Sequence, residues 1–318
     1  MSPAIDRELV CTDFNAELER LRGLGLRLDV IYPADEPHTA ILNDNGRTVR
    51  LTSRPDTPPP STGLPAFHPE FVLTRGGGTS GEGRAGMHYR DLIPNRLGGR
   101  YIASHITISE GGLVNDWVHF HHIAFQLIFV RKGWVRVVYE DQGEPFVMQA
   151  GDLVVQPPEI RHRVLESSSG AEVVEISCPA LHETFADHDL NLPNGRIDPA
   201  RRFKGQRFLH HSAKDAQWAP FDGAQSQETG VREAIGGLAE VRTLKPGSSA
   251  TIAIAPHVGE LVFGFVLEGS AELDYCGNMK LAPADAFVIP PGEAWTLSVM
   301  SDDFRLLHVT SAVPSKSA

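Results

Sequence analysis

The sequence predicts an all-β protein, with two related strand-rich domains in tandem behind an N-terminal arm. Three observations predict it. From Arg100 onward the chain breaks into short alternating apolar runs, each bounded by Gly, Pro or Asp, with no long helical periodicity between them. Strands at that spacing build a sandwich or a barrel. The pattern then repeats. Residues 126–139 around Gly133 are paralleled by 263–275 around Gly269, an offset of 136 residues, and 151–162 by 284–295, an offset of 133. Finally, 318 residues, 41% apolar and 22% charged, describe a globular chain with room for two domains of ordinary size.

The first 95 residues read as an arm rather than a domain. Residues 15–22 have the spacing of one short helix, capped at Thr12 or Asp13, whose side-chain oxygens can accept from first-turn amides. Residues 26–32 predict a strand. Asp44-Asn45-Gly46 between two apolar runs predicts a hairpin turn, because Asn and Gly tolerate the positive φ of the tightest turns. Residues 55–63, rich in Pro, Ser and Thr, and 75–86, with six glycines, predict loops. The glycine stretch has no following Lys-Ser or Lys-Thr, so it is read as a flap and not as a phosphate cradle. The arm is too polar to fold alone, and its strands are expected to cover a barrel edge, the C-terminal barrel's.

The first domain is assigned to 96–190, with strands at 101–108, 126–130, 134–139 and 153–156. Residues 186–206 break the rhythm with Pro193, Asn194, Gly195 and Pro199, and the second domain is assigned to 191–318. The net charge of −11 argues against a nucleic-acid partner, which would select clustered Lys and Arg. Cys11, Cys178 and Cys276 stand far apart in no metal-type spacing, and their odd number makes a poor disulfide framework, so a reducing, cytoplasmic compartment is expected. Residues 1–6 lack the basic-then-apolar pattern of a signal peptide, and no apolar stretch approaches the ~18 residues of a membrane helix.

The chemistry concentrates in one stretch. His119 and His121 are separated by one residue, so on a strand both imidazoles face the same side. Gln126 and Gly133 follow, then Gly151, Pro157 and His162. Strand parity alone would turn Gln126 to the opposite face, so a turn or bulge must separate it from His121 if it joins the site. The Pro157-Pro158 turn is expected to return His162 beside the first pair. Three imidazoles suit Fe, Zn, Ni, Cu or Mn.

Residues 112–162 resemble the two motifs of the cupin superfamily. The first motif, HxH followed by a carboxylate and a glycine, is matched by His119, His121 and Gly133, with Gln126 where most metal cupins have Glu. The second is matched by Gly151, Pro157 and His162, with Glu159 where the family has glycine. The whole chain resembles a bicupin, which implies two jelly-roll (double-stranded β-helix) barrels. The resemblance further implies one divalent metal per chain on His119, His121 and His162. Gln126 either ligates that metal or hydrogen-bonds a ligand water. A neutral Gln126 leaves the metal its full charge, as in three-histidine cupin dioxygenases of gentisate, cysteine and diketones. The function so implied is an Fe(II) dioxygenase of a small chelating substrate such as a phenolic acid or a diketone. A Zn- or Mn-dependent lyase or isomerase, and a non-catalytic small-molecule-binding cupin, are the alternatives.

In the second domain the HxH positions, aligned on Gly269, become Ala255 and His257. The Gln126 position becomes Val262, and the last histidine becomes Trp295, so no metal is expected there. His105, on the strand before the HxH run, is a candidate for proton handling at the pocket together with Gln126; the alternative is a structural histidine. Arg161 and Arg163 flank His162 and alternate away from it. A homodimer is expected, because open sheet edges need cover.

Overall fold

The computed structural model describes residues 4–57, 59–60 and 63–312. The regular structure is nearly all strand, and the strands form two jelly rolls, each of two facing sheets. In the first, one sheet carries Thr184–Ala186, His119–His121, His162–Ser167, Trp134–Tyr139 and Phe146–Gln149. The sheet facing it carries Leu153–Gln156, Phe125–Lys132, Ala171–Cys178, Ile102–Ile108 and His88–Asp91. The second jelly roll faces Ala239–Pro246, Arg305–Ser311, Val262–Glu268 and Ala286–Val288 against Ile252–Ile254, Trp295–Ser298 and Ala271–Asp274. Gly133 and Gly269 make equivalent turns at φ 72° and 68°. A Cβ at Gly133 would collide with Ser168 Oγ, so only glycine fits this tight corner.

The two seven-stranded sheets pack back to back, and strand alternation then decides what each residue meets. On Phe125–Lys132, Phe125, Leu127 and Phe129 face the seam between the jelly rolls, where they join Val241, Phe263, Phe265 and Val309 in one apolar core. Ile128 and Val130 face the first jelly roll's own interior. A strand buried on both faces is apolar throughout, so its polar exceptions are conspicuous. The seam also holds a buried ion pair: Arg100 donates to Glu260 at 2.7 and 2.8 Å, and Tyr101 Oη donates to the same carboxylate at 2.8 Å.

The arm contains the expected elements. Its helix is Phe14–Gly23, and the Asp13 carboxylate accepts from Ala16 N at 3.0 Å. Thr39–Asp44 and Arg47–Thr52 form the hairpin, with Asn45 and Gly46 at φ 49° and 92°. The helix packs on that hairpin through Phe14, Leu18 and Leu21. The arm's position corrects the expectation. Arg27–Tyr32 pairs with Thr184–Ala186, and His88–Asp91 with Ile102–Ile108, so most of the arm extends the first jelly roll. Among the described residues of the arm, Val72–Thr74 alone adds a strand to the second, beside Ala286–Val288. Part of the glycine stretch is strand, Gly81–Glu82. The chain also stays with the first jelly roll beyond residue 190: Leu209–His211 pairs with Leu153–Val155, and Arg201 bonds Glu140 and Asp141 at 2.6 Å.

Candidate metal centre

The HxH pair sits on a short strand, His119–His121, whose alternation buries both imidazoles on the interior face. His162 starts the neighbouring strand and pairs directly with His119. The turn between is tied by Glu159 N donating to His121 O at 3.1 Å. Glu159 adopts φ 66° there, the left-handed conformation that explains a glycine in the cupin motif. One ligating atom from each of His119, His121 and His162 lies within 4.8 Å of the others. The rings of His119 and His162 are 4.2 Å apart, and His121 stands 5.2 and 5.3 Å from them.

Outer contacts fix which nitrogen each ring presents. His119 Nδ1 donates to Trp117 O at 2.7 Å, and His162 Nδ1 to Ile160 O at 3.0 Å. His121 Nδ1 lies 3.4 Å from Glu183 O, a carbonyl that only accepts, and 3.2 Å from Thr184 Oγ1, a hydroxyl that can accept as well. A proton on Nδ1 leaves Nε2 with its lone pair, the form a metal binds. Asp116 braces the set: one carboxylate oxygen is 3.6 Å from His119 Nδ1, and the other accepts from Val164 N at 2.9 Å. Three buried imidazoles oriented by carbonyls and a carboxylate fit a divalent transition metal, and the three-histidine group can bind one.

Gln126 joins the site on the facing sheet. The chain turns between residues 121 and 125, which restores the parity that a continuous strand would have broken. Gln126 is 2% exposed and lines the same cavity, and its Oε1 has no hydrogen-bond partner among the described residues. An orphaned buried amide oxygen is costly unless a cation or donor meets it, which is the environment a metal or its water would supply. Gln156, paired opposite Gln126, donates to Tyr139 Oη at 2.8 Å. Burial raises the Tyr139 phenol well above its ordinary pKa, and its ring stacks on His162 at 5.6 Å.

His105 is not in this cavity. Ile106 and Ile108 line it, so alternation turns His105 outward to the seam. There its Nδ1 is 3.1 Å from Arg90 Nη2, its Nε2 is 2.9 Å from Glu172, and its ring meets Phe265 at 5.4 Å. Burial and Arg90 push its pKa down to about 4, outweighing Glu172. His105 is therefore a structural histidine of the domain seam. Arg161 alternates away as expected, bonding Asp187 at 2.9 Å and lying 4.0 Å over the Phe120 ring. His122 likewise turns outward, 3.6 Å from Glu159.

Glu175, which the sequence pattern did not single out, lines the cavity from the facing sheet. Its strand, Ala171–Cys178, carries Glu172, Glu175 and Ser177 without strict alternation, so the sequence does not show which face each takes. The repeat holds the signal: the offset of 133 residues carries Glu175 onto His308, which occupies the same register in the second jelly roll. Elsewhere in that domain the site is gone. Trp295 pairs with Ile254 as His162 pairs with His119, so Ile254, not Ala255, is the counterpart of His119. Val262 and Ile289 replace Gln126 and Gln156, and His257 instead reaches Ser311 O at 2.8 Å.

No family model matches the chain, and no curated protein does. Solved structures do match. Protein Ylba from E. coli superposes with a TM-score of 0.58 at 12% identity, covering 81% of this chain and 97% of that one. Oxalate decarboxylase of Lactobacillus farciminis gives 0.50 at 13%, covering 80% and 87%. A point mutant of salicylate 1,2-dioxygenase from Pseudoaminobacter salicylatoxidans gives 0.51 at 18%, covering 70% and 75%. These neighbours are cupin-family members, and likeness at such identity establishes a shared fold. The chain thus has a two-domain cupin fold with one three-histidine metal-binding group among the described residues. No described helix is long and apolar enough to cross a membrane.

Proposed function

We propose that this protein is an Fe(II)-dependent dioxygenase of a small chelating substrate. The observation that carries the proposal is the donor set: three imidazoles cluster with a neutral Gln126, and no carboxylate belongs to the cluster among the described residues. Neutral ligands leave a dication its full charge, which favours an anionic chelating substrate. Fe(II), when bound, supplies an anchor for that substrate and electrons for dioxygen. The chain supplies the rest. Met87, Ile106, Ile128, Val135 and Val173 wall the cavity and exclude water. Gln126 Oε1 offers a fixed acceptor, and Glu175 a carboxylate that can hold or release a proton on the wall opposite the histidines.

The cavity measures about 70 Å³. A dry cavity that accepts benzene is about 150 Å³. The cavity is smaller than that, so it favours the most compact chelators of each candidate class; a neighbour of the same fold is named a salicylate dioxygenase. Dioxygen uptake by the Fe(II) form, screened against small diketones, thiols and hydroxybenzoates, tests the proposal. Uptake with a compact chelator is expected; no uptake with any, together with Zn as the tightly held metal, would overturn it. One observation favours a second reading, a metal-dependent lyase: Glu175 is positioned as a general base. Glu175→Gln separates the two, abolishing turnover in a lyase and reducing it by about tenfold or less in an oxygenase whose substrate binds already ionised.

A further inference from the structure

The second jelly roll has lost its metal ligands but not its mouth. A cavity of about 330 Å³ opens there, lined by Phe221, Ile254, Val258, Val262, His308 and Thr310 among others. Phe221, Ile254, Val258 and Val262 form an apolar wall, and Asp222, Arg232, Glu240 and Arg242 bring charge to the lining. The cations at its rim are already matched: Arg242 bonds Glu228 at 2.6 Å, also meets Glu240, and lies 4.6 Å over the Phe221 ring. Arg232 lies 3.7 Å from Glu240. Among the described residues of this lining, no cation is left unpaired to attract an anion.

His308 breaks this apolar wall. It is 5% exposed, and its Nε2 has no hydrogen-bond partner among the described residues. Its ring packs against Trp295 at 5.7 Å. A buried imidazole nitrogen left unpartnered costs stability, and replacing it with an apolar side chain would be the simple remedy, as Ile254, Val262 and Trp295 show at neighbouring interior positions. Burial, with Arg242 and His257 nearby, pushes the His308 pKa down to about 4, so the ring is neutral at pH 7.

We infer that the mouth of the second jelly roll is a metal-independent binding site for a small uncharged hydroxyl compound, of phenol or alcohol type, whose hydroxyl meets His308. The chemistry selects this class. A hydroxyl both donates and accepts, so it satisfies the imidazole nitrogen in either tautomer, whereas a carbonyl satisfies only one. A carboxylate would be buried against apolar walls beside a neutral ring, at a prohibitive cost. The apolar body of the ligand fills the space between Phe221, Ile254 and Val262. The site stands independently of the first jelly roll's proposed chemistry.

The test uses the metal-free full chain with phenol as probe and benzoate as its charged counterpart. Titration followed by ¹⁵N NMR of the imidazoles should shift the His308 nitrogens on adding phenol, and not on adding benzoate. His308→Leu should weaken phenol binding at least tenfold while leaving the thermal midpoint unchanged or higher, because it removes the unpartnered nitrogen. A His119→Ala chain should bind phenol as the wild type does. Phenol binding that is absent in the wild type, unaffected by His308→Leu or lost in His119→Ala would each overturn the inference.

Discussion

The two jelly rolls pair their strands alike and differ in what fills them. In the first, His119, Gln126, Gln156 and His162 face the interior; in the second, Ile254, Val262, Ile289 and Trp295 stand at the same registers. One interior is a small cavity with polar chemistry at its floor; the other is packed around Phe287, Trp295 and Phe304 and opens only at its mouth, beside Ile254, Val262 and His308. Exchanges of side chains at shared registers, and not a change in the sheets, thus separate a cavity that can hold a metal from one that lacks the ligands. The fold supplies positions, and the residues at those positions decide whether they ligate or pack.

The contrast predicts opposite responses to the same truncation. Trp295→Ala removes a large side chain that is 2% exposed and should cost about 3–5 kcal/mol of stability. His162→Ala, at the equivalent register, should cost the metal-free protein much less. Denaturant unfolding of the two variants without metal checks this, and equal losses would erase the distinction between core and site.

Acid offers a subtler comparison, because each domain carries a buried histidine outside the metal group whose pKa is strongly depressed. His105 and His308 are both depressed to about 4, mainly by burial. The unfolded chain takes up these protons near pH 6.5 and the folded one only near 4. Their contribution is therefore complete above about pH 6.5 and lost as pH falls through that window. Melting temperature should decline from about pH 7 to about pH 4.5, and His308→Leu should shallow the slope by on the order of 1–2 kcal/mol at the acid end. An unchanged slope would mean that His308 titrates normally.

The smallest expected effect is at Arg161. It sits one residue from His162 but points to Asp187 and Phe120. Arg161→Ala should leave metal binding intact and change stability by about 1 kcal/mol or less. A tenfold loss of metal affinity would show that adjacency in sequence matters here more than alternation.

Much of this is legible in the sequence. The HxH spacing, Gly133 and the Pro157-Pro158 turn place three histidines together, Gly269 marks the repeat, and strand parity sorts Arg161 and His122 away from the site. His105 escapes because its face depends on the phase of its strand: Ile106 and Ile108 look inward, and a seam with the second domain hides the other side. Glu175 escapes for the same reason, since a strand buried on both faces gives no alternation to read. The arm was expected on the wrong jelly roll because edge pairing is set by three-dimensional proximity. Thr184–Ala186, the edge that Arg27–Tyr32 completes, lies about 150 residues downstream in the chain.

The central claim, one metal group in the first jelly roll and none in the second, is tested most directly by elemental analysis of the purified chain and its variants. One metal per chain is expected in the wild type, retained in His257→Ala and largely lost in His119→Ala and His162→Ala. Two metals per chain, or a metal lost with His257 and kept without His162, would contradict it.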